Sequence, residues 1–250
     1  MKIQQSNINK ITIKKCIIFA RLMPIIFRKN IKNHGVLGVW KITESVDDML
    51  SMIKFSDDDH ATFEKFKIKS RQAHWLAYRL AARQLLDPDE ECNFFYDSHG
   101  KLHFSDLSYQ ISVTHSGIYA GVIISRSHYV GLDIEKLGDR IGGLADKFLM
   151  QEELKNLPIE NRQRYLTVLW SAKEALYKLF GKPKVQFDRD IYLSPFDLKR
   201  KGTFDGRIDN YGVVRDYVLE YEFSDDDEYV LVHCSDENME AKPKNENIDS

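Results

Sequence analysis

Long apolar runs, paired cysteines, a basic excess and internal repeats are all missing from this 250-residue sequence. No stretch approaches the roughly 20 consecutive apolar residues that a membrane-spanning helix needs, so no membrane association is expected. Three cysteines, Cys16, Cys92 and Cys234, stand far apart and form no C-x-x-C pair. That count and spacing exclude a disulfide framework and a zinc pattern, and point to reduced thiols in a cytoplasmic protein. A formal net charge of −2 leaves no basic footprint, which argues against a dedicated nucleic-acid binder. With 43% hydrophobic and 30% charged residues, the chain has core enough for one large domain or two small ones.

Two short stretches stand out against this ordinary background. Leu169 to Gly181, LWSAKEALYKLFG, is built from good helix formers, has no internal Gly or Pro, and ends on a glycine suited to a helix C-cap. At helical spacing Trp170, Glu174 and Lys178 are successive i, i+4 neighbours, so an aromatic, a carboxylate and an amine share one face. Alone, this is a surface helix with one favourable ion pair. Upstream, Val130 to Glu135 reads VGLDIE, with Val130, Leu132 and Ile134 alternating with Gly131, Asp133 and Glu135. The two-residue period predicts a half-buried strand on which Asp133 and Glu135 point the same way. Two strand carboxylates and one helix carboxylate make a hard-oxygen set of the kind that holds Mg²⁺ beside substrate phosphates.

In this order, some forty residues apart, the two stretches resemble the signatures of the 4′-phosphopantetheinyl transferase superfamily, in its Sfp-type, two-lobed branch. The family carries a (V/I)G(I/L)D(I/V)E strand followed by a W-S/T-x-KEA-x-x-K helix, and the resemblance extends from about Gly35 to His233. Other parts follow along the chain. KSRQAHWLAYRLAARQLL is an amphipathic helix with Arg71, Arg79 and Arg83 among Trp75, Leu76, Leu80 and Leu85. From pattern alone its arginines form a solvated face. The family's R-x-x-x-W/F-L-x-x-R implies that Arg71 and Arg79 hold coenzyme A phosphates, a task suited to guanidinium forks. DSHGKL aligns with the family's DxxGKP and implies Lys101 near the nucleotide, although Leu102 replaces the usual proline. QISVTH matches a family strand end, implying that His115 contacts a coenzyme A phosphate with Thr114 beside it. KFLMQEEL resembles the family's KFLSxEE, where Glu152 and Glu153 read as helix N-terminal charges.

Coarse elements follow from periodicity and punctuation. A first strand is expected over Gly35 to Ile42 and a short helix over Glu44 to Lys54. Ser56 is a candidate N-cap for two helical pieces that Pro88 closes. A meander is expected through Tyr119 to Ser125 and Tyr129 to Glu135. Late strands are expected over Ile191 to Leu198, Thr203 to Ile208, Val213 to Phe223 and Tyr229 to Cys234. Residues 1–22 are rich in Ile, Lys and Asn without a period. Their basic start and apolar run are broken by Arg21 and Pro24, and no small-residue cleavage site follows, so they do not read as a secretory signal. The polar residues 236–250 are expected to be disordered.

The resemblance implies an α+β fold of two similar lobes in pseudo-twofold arrangement, each a small, mainly antiparallel sheet packed on helices. Residues 23–130 would form the lobe contacting coenzyme A, and 131–235 the lobe with the metal site. The implied reaction moves the phosphopantetheine arm of coenzyme A onto a serine of an acyl or peptidyl carrier protein. Asp133, Glu135 and Glu174 would hold Mg²⁺, Glu174 would take the serine proton, and Lys178 and Lys173 would offset developing negative charge. Trp170 is expected to pack. This branch implies a monomer. Two other readings use the same residues: a metal-dependent phosphohydrolase or nuclease built on the carboxylates, and a catalytically silent module that only binds a carrier. A protein starting at Met23 is expected to match the full chain in Tm. A clearly lower Tm for the shorter chain would show that residues 1–22 contribute to the fold.

Overall fold

The computed structural model describes residues 25–31, 35–86, 92–181, 184–210 and 212–240. The expectations placed on residues 1–22, Met23, Pro24 and Pro88 lie outside the described residues. The expected disordered tail does so only from residue 241. Strand β1, Ile25–Ile31, pairs antiparallel with β2, Gly35–Lys41. The sequence reading starts its strands at Gly35 and misses β1, whose burial alternates only between half-buried and exposed. Helices α1, Val46–Met52, and α2, Asp57–Phe63, each begin at a serine whose side chain closes a reciprocal capping box with an aspartate three residues on. Ser56 is thus the N-cap expected from sequence. Helix α3, Lys69–Leu85, follows and buries Leu76, Leu80 and Trp75.

The hairpin β3, Phe94–Tyr96, and β4, Leu102–Phe104, leads into β5, Gln110–Ser116, and β6, Tyr119–Ser125. These complete a four-stranded sheet in the order β1-β2-β6-β5. The next strand, β7, His128–Lys136, does not extend that sheet as the expected meander would. It forms the edge of a second sheet, ordered β7-β11-β10-β9-β8. Between β7 and β8, Ile191–Leu193, come short helices α4, Ala145–Phe148, and α5, Gln151–Lys155, the long helix α6, Arg162–Phe180, and α7, Phe187–Asp190. Strands β9, Lys201–Asn210, β10, Val213–Phe223, and β11, Tyr229–Glu240, form an antiparallel meander. β11 continues through Glu240, into the stretch expected to be disordered, because Ser235 still pairs with Val130 and Glu240 with His128 across a bulge. Polarity alone hides such pairing, since backbone donors and acceptors carry it. No helix among the described residues is long and apolar enough to cross a membrane.

The layers run helix, sheet, sheet, helix. α3 covers one face of the first sheet through Leu76, Leu80, Ile111, Val122 and Ile124. α6 covers one face of the second through Val168, Ala172, Leu176, Leu219 and Val232. The remaining faces meet through Leu37, Val39, Ile123, Leu132, Ile134 and Leu231. On the edge of this contact the Lys29 ammonium donates to Glu220 Oε2 at 2.8 Å and lies 3.4 Å from His233 Nε2, tying β1 to the second sheet.

Gly131 sets how closely α6 approaches β7. A Cβ there would lie 2.0 Å from the Ala175 carbonyl oxygen and 2.9 Å from Leu179 Cβ. No side chain fits without separating helix from strand. Gly131→Ala is therefore expected to destabilise by about 1–3 kcal/mol, the usual scale of overpacking. It should also lower any activity that needs α6 and β7 side chains together. Denaturant unfolding at unchanged m-value checks the first part, and wild-type stability would refute the close-approach account.

Candidate active site

With a glycine at the contact, the odd-numbered face of β7 and one stripe of α6 run along each other in opposite directions. Gly131 sits at Ala175 and Leu179, Asp133 reaches Lys178, and Glu135 reaches Trp170. From Asp133 to Glu135 the strand advances about 6.6 Å, while their helix partners Lys178 and Trp170 lie about 12 Å apart along α6. The long side chains bridge this difference, so the contacts fan out over two turns of the helix. Asp133, Glu135, Trp170, Glu174 and Lys178 line one open cleft of about 380 Å³, together with Tyr78, Thr114 and His115.

The first sheet holds the strand carboxylates from the other side. β7 is an edge strand, and among the described residues its outward N–H groups at Leu132, Ile134 and Lys136 have no backbone partner strand. Hydroxyls of β5 accept them instead: Ser112 Oγ from Leu132 at 3.2 Å, Thr114 Oγ1 from Ile134 at 3.2 Å, and Ser116 Oγ from Lys136 at 3.1 Å. Two of these hydroxyls also donate onward, Thr114 to Asp133 Oδ1 and Ser116 to Glu135 Oε2, both at 2.9 Å. Thr114, implied by the resemblance as a substrate contact, is buried and spends its proton on Asp133. Ser112 and Ser116 were missed in the sequence; the alternation of hydroxyls in S-V-T-H-S was the available signal.

Each carboxylate has a distinct setting. Asp133 Oδ1 also accepts from the Lys178 ammonium at 2.7 Å, while its Oδ2 is buried with no partner among the described residues. Glu135 Oε1 accepts from Trp170 Nε1 at 3.2 Å and from Arg140 at 3.4 Å. Trp170 therefore does more than the expected packing, although it also packs edge-on against Phe148. Burial raises the Glu174 carboxyl above its ordinary range, Lys178 opposes this, and Asp133 and Glu135 push it further up.

The resemblance implies Mg²⁺ here. Among the described residues no group of three His, Cys, Asp or Glu side chains converges as a ready-made metal cluster. The donor chemistry nonetheless fits a hard cation: three carboxylates line the cleft, and among the described residues one buried oxygen of Asp133 lacks a partner. Asp133, Glu135 and Glu174 would hold such an ion.

Other residues expected at the site are placed as follows. Lys178 lines the cleft and also donates to the Leu132 carbonyl at 3.2 Å. His115 is exposed at the end of β5 and stacks on His74 with ring centroids 4.2 Å apart. Desolvation of the ring by its neighbours, then His74 and Lys178, push its imidazole down to about 4. Arg71 is exposed on the first turn of α3. Lys101 donates to the Lys178 carbonyl at 3.0 Å and lines an adjoining cavity of about 310 Å³ with Tyr177, Lys178 and Ser112. Burial lowers its ammonium pKa.

Two of the expected residues are not among those lining the cleft. Arg79 is only 2% exposed, stacked 3.5 Å from the centroid of Trp75 and paired with Asp59 at 3.3 Å. In this arrangement its fork is engaged by Asp59 and Tyr78. Its remaining contact toward the site runs through Tyr78, whose hydroxyl accepts from Arg79 at 3.0 Å and lies 2.5 Å from that of Tyr96. Lys173 is fully buried on the far side of α6. Its three N–H donors go to Glu153 Oε2 at 2.6 Å and to the carbonyls of Phe187 and Ile191 at 2.9 and 2.7 Å. Glu153, expected only as a helix-end charge, also accepts from the Met150 and Leu193 amides and so fastens α5 and β8 to α6.

Residues 129–232 match the sequence profile of the 4′-phosphopantetheinyl transferase superfamily. A candidate 4′-phosphopantetheinyl transferase of Synechocystis sp. is 29% identical over 140 residues, 51% of this chain and 57% of that protein. The 4′-phosphopantetheinyl transferase psf-1 of Bacillus pumilus is 31% identical over 38% of this chain and 42% of its own length. HetI, the 4′-phosphopantetheinyl transferase of Nostoc sp., is 25% identical over 59% of this chain and 69% of its own length. The chain thus spans about half the length of the first two relatives it matches.

The geometry separates Lys173 from the chemistry. Lys173→Met leaves Glu153 buried without its counter-charge and is expected to cost about 3–5 kcal/mol of stability. Replacing Glu153 with Leu in the same chain should recover part of that loss. Thermal melts of the single and double variants decide it. A single variant that melts like wild type while losing activity would return Lys173 to the cleft.

Proposed function

On the premise that residues 129–232 form a domain of the 4′-phosphopantetheinyl transferase superfamily, we propose that this chain transfers the 4′-phosphopantetheine arm of coenzyme A to a serine of an acyl or peptidyl carrier protein. The observation that carries the reading is the meeting of the VGLDIE strand and the WSAKEALYK helix along one cleft, carboxylates and amine inward. The two sheet-and-helix units are read as the two lobes of the Sfp-type branch, with the reaction in the seam between them.

In the proposed reaction the carrier serine oxygen attacks the phosphorus of coenzyme A that bears the pantetheine arm. The serine O–P bond forms, the bond to the bridging pyrophosphate oxygen breaks, and adenosine 3′,5′-bisphosphate leaves. Glu174 takes the serine proton, and burial, the first cause of its raised proton affinity, makes it a stronger base than an exposed carboxylate. Lys178 places positive charge beside the leaving pyrophosphate oxygen. His115 and Arg71 contact the phosphates of coenzyme A, and Lys101 borders its nucleotide. Thr114, Ser116 and Trp170 hold Asp133 and Glu135 in place. When bound at Asp133, Glu135 and Glu174, Mg²⁺ supplies charge neutralisation for the pyrophosphate. The similarity to proteins named as transferases gives no support to the phosphohydrolase or nuclease reading.

The test combines the full chain, Mg²⁺, coenzyme A and an apo carrier protein, with the added arm read by intact mass. Glu174→Gln keeps the volume and removes the base, so transfer is expected to fall by about 10²–10⁴-fold with the fold intact by circular dichroism. Asp133→Asn should also lose activity, but recover more of it as Mg²⁺ is raised. Near-normal transfer by the glutamine variant would remove Glu174 from the mechanism. Absence of any mass shift in wild type, with hydrolysis of coenzyme A or nucleic acid instead, would favour the alternative.

A further inference from the structure

His74 belongs to none of the recognised motifs, yet it touches the cleft through one of its lining residues. It sits on α3 one turn from both Arg71 and Tyr78, at i+3 and i+7 of a stripe that ends on the cleft-lining Tyr78. Its Nε2 lies 2.7 Å from the carbonyl oxygen of Gly117. A carbonyl only accepts, so that nitrogen carries the proton and the ring is anchored to the turn between β5 and β6. Gly117 holds φ +57°, the left-handed conformation that presents its carbonyl in this tight turn. The anchored ring lies parallel to His115, 2° from coplanar orientation at 4.2 Å.

We propose that His74 is a positioning residue for the phosphate contact of His115, holding that imidazole flat and facing the cleft before the substrate arrives. The inference rests on the coenzyme A reading given above. His115 stands exposed at the end of a strand, where a side chain otherwise samples several rotamers. Ordering it only on binding would weaken the substrate; a ring already stacked has met that cost in advance. Charged and titratable groups of three elements act on His115: His74 from α3, and Lys178 from α6 and Asp133 from β7, which share its cleft. Of these, only His74 meets its ring face to face. A phosphate drawn in by Lys178 thus finds the imidazole edge already aimed.

The full chain carrying His74→Ala or His74→Phe tests this, with coenzyme A as the probe in isothermal titration. H74A is expected to weaken coenzyme A by about three- to tenfold, the scale of ordering one side chain on binding. H74F, which keeps a flat ring against His115, should return within about twofold of wild type by the same estimate. In the transfer assay the H74A defect should appear in KM for coenzyme A and exceed any fall in kcat. Should H74A fail to fold, His74→Leu, which has bulk without a planar face, takes its place. Equal affinity of H74A and wild type, or H74F as weak as H74A, would overturn the proposal. A second readout needs no substrate: the His115 ring protons, shifted by the current of the stacked ring, should move in H74A and stay in H74F. Failure of wild type to bind coenzyme A would sink the functional reading, while unmoved ring protons in H74A would sink the stack.

Discussion

The unpaired edge of β7 is the constraint around which the rest of the molecule is arranged. An edge strand leaves a row of backbone N–H groups unmet, and burying them without partners costs free energy comparable to lost hydrogen bonds. Here three hydroxyls of β5, spaced at the strand period, take the place of a neighbouring strand. This joins the two sheets along a seam without merging them. Because a hydroxyl can accept and donate at once, two of the three also orient the carboxylates of β7. The device that closes the fold and the device that aims the site are the same atoms.

From that seam the positions of the other elements follow. Apolar residues at 130, 132 and 134 fill the space between the sheets, so 131, 133 and 135 must face α6. Gly131 admits the helix backbone, which brings the Lys178 amine to Asp133 and the Trp170 indole to Glu135. On the far side of α6 the buried Lys173–Glu153 pair and its carbonyl partners fix the helix to α5, α7 and β8. Such a pair contributes little net stability against an apolar equivalent, but it tolerates only one geometry. It therefore sets the rotation of α6 about its axis, and with it where Glu174 and Lys178 point.

The local elements, and the meeting of the two motifs along one cleft, were legible in the sequence. Ser56 capped the helix it was expected to cap, and the carboxylates of Asp133 and Glu135 share a face as their alternation requires. Trp170, Glu174 and Lys178 line one cleft because helical spacing leaves them no other relation. Less legible were residues whose type suits two environments. Arg79 suits a phosphate or a stacked, paired burial equally well, and Lys173 suits a leaving group or a buried glutamate. Strand β1 and the end of β11 carried too weak an apolar alternation to be seen, since neighbours hold them through backbone bonds.

By itself, then, the sequence determined the relations set by chain geometry: which side chains lie on a common helix face or strand face, where helices begin, and which motifs belong together. Tertiary structure alone decided what stands opposite each face. Whether the β5 hydroxyls meet solvent or the edge of β7, and whether Arg79, Lys173 and His74 look into the cleft, the core or one another, depends on contacts between residues far apart in the chain. A period of two or of 3.6 residues is a property of the backbone and can be read locally. The partner across an interface is set by how whole layers pack, and no local spacing encodes it.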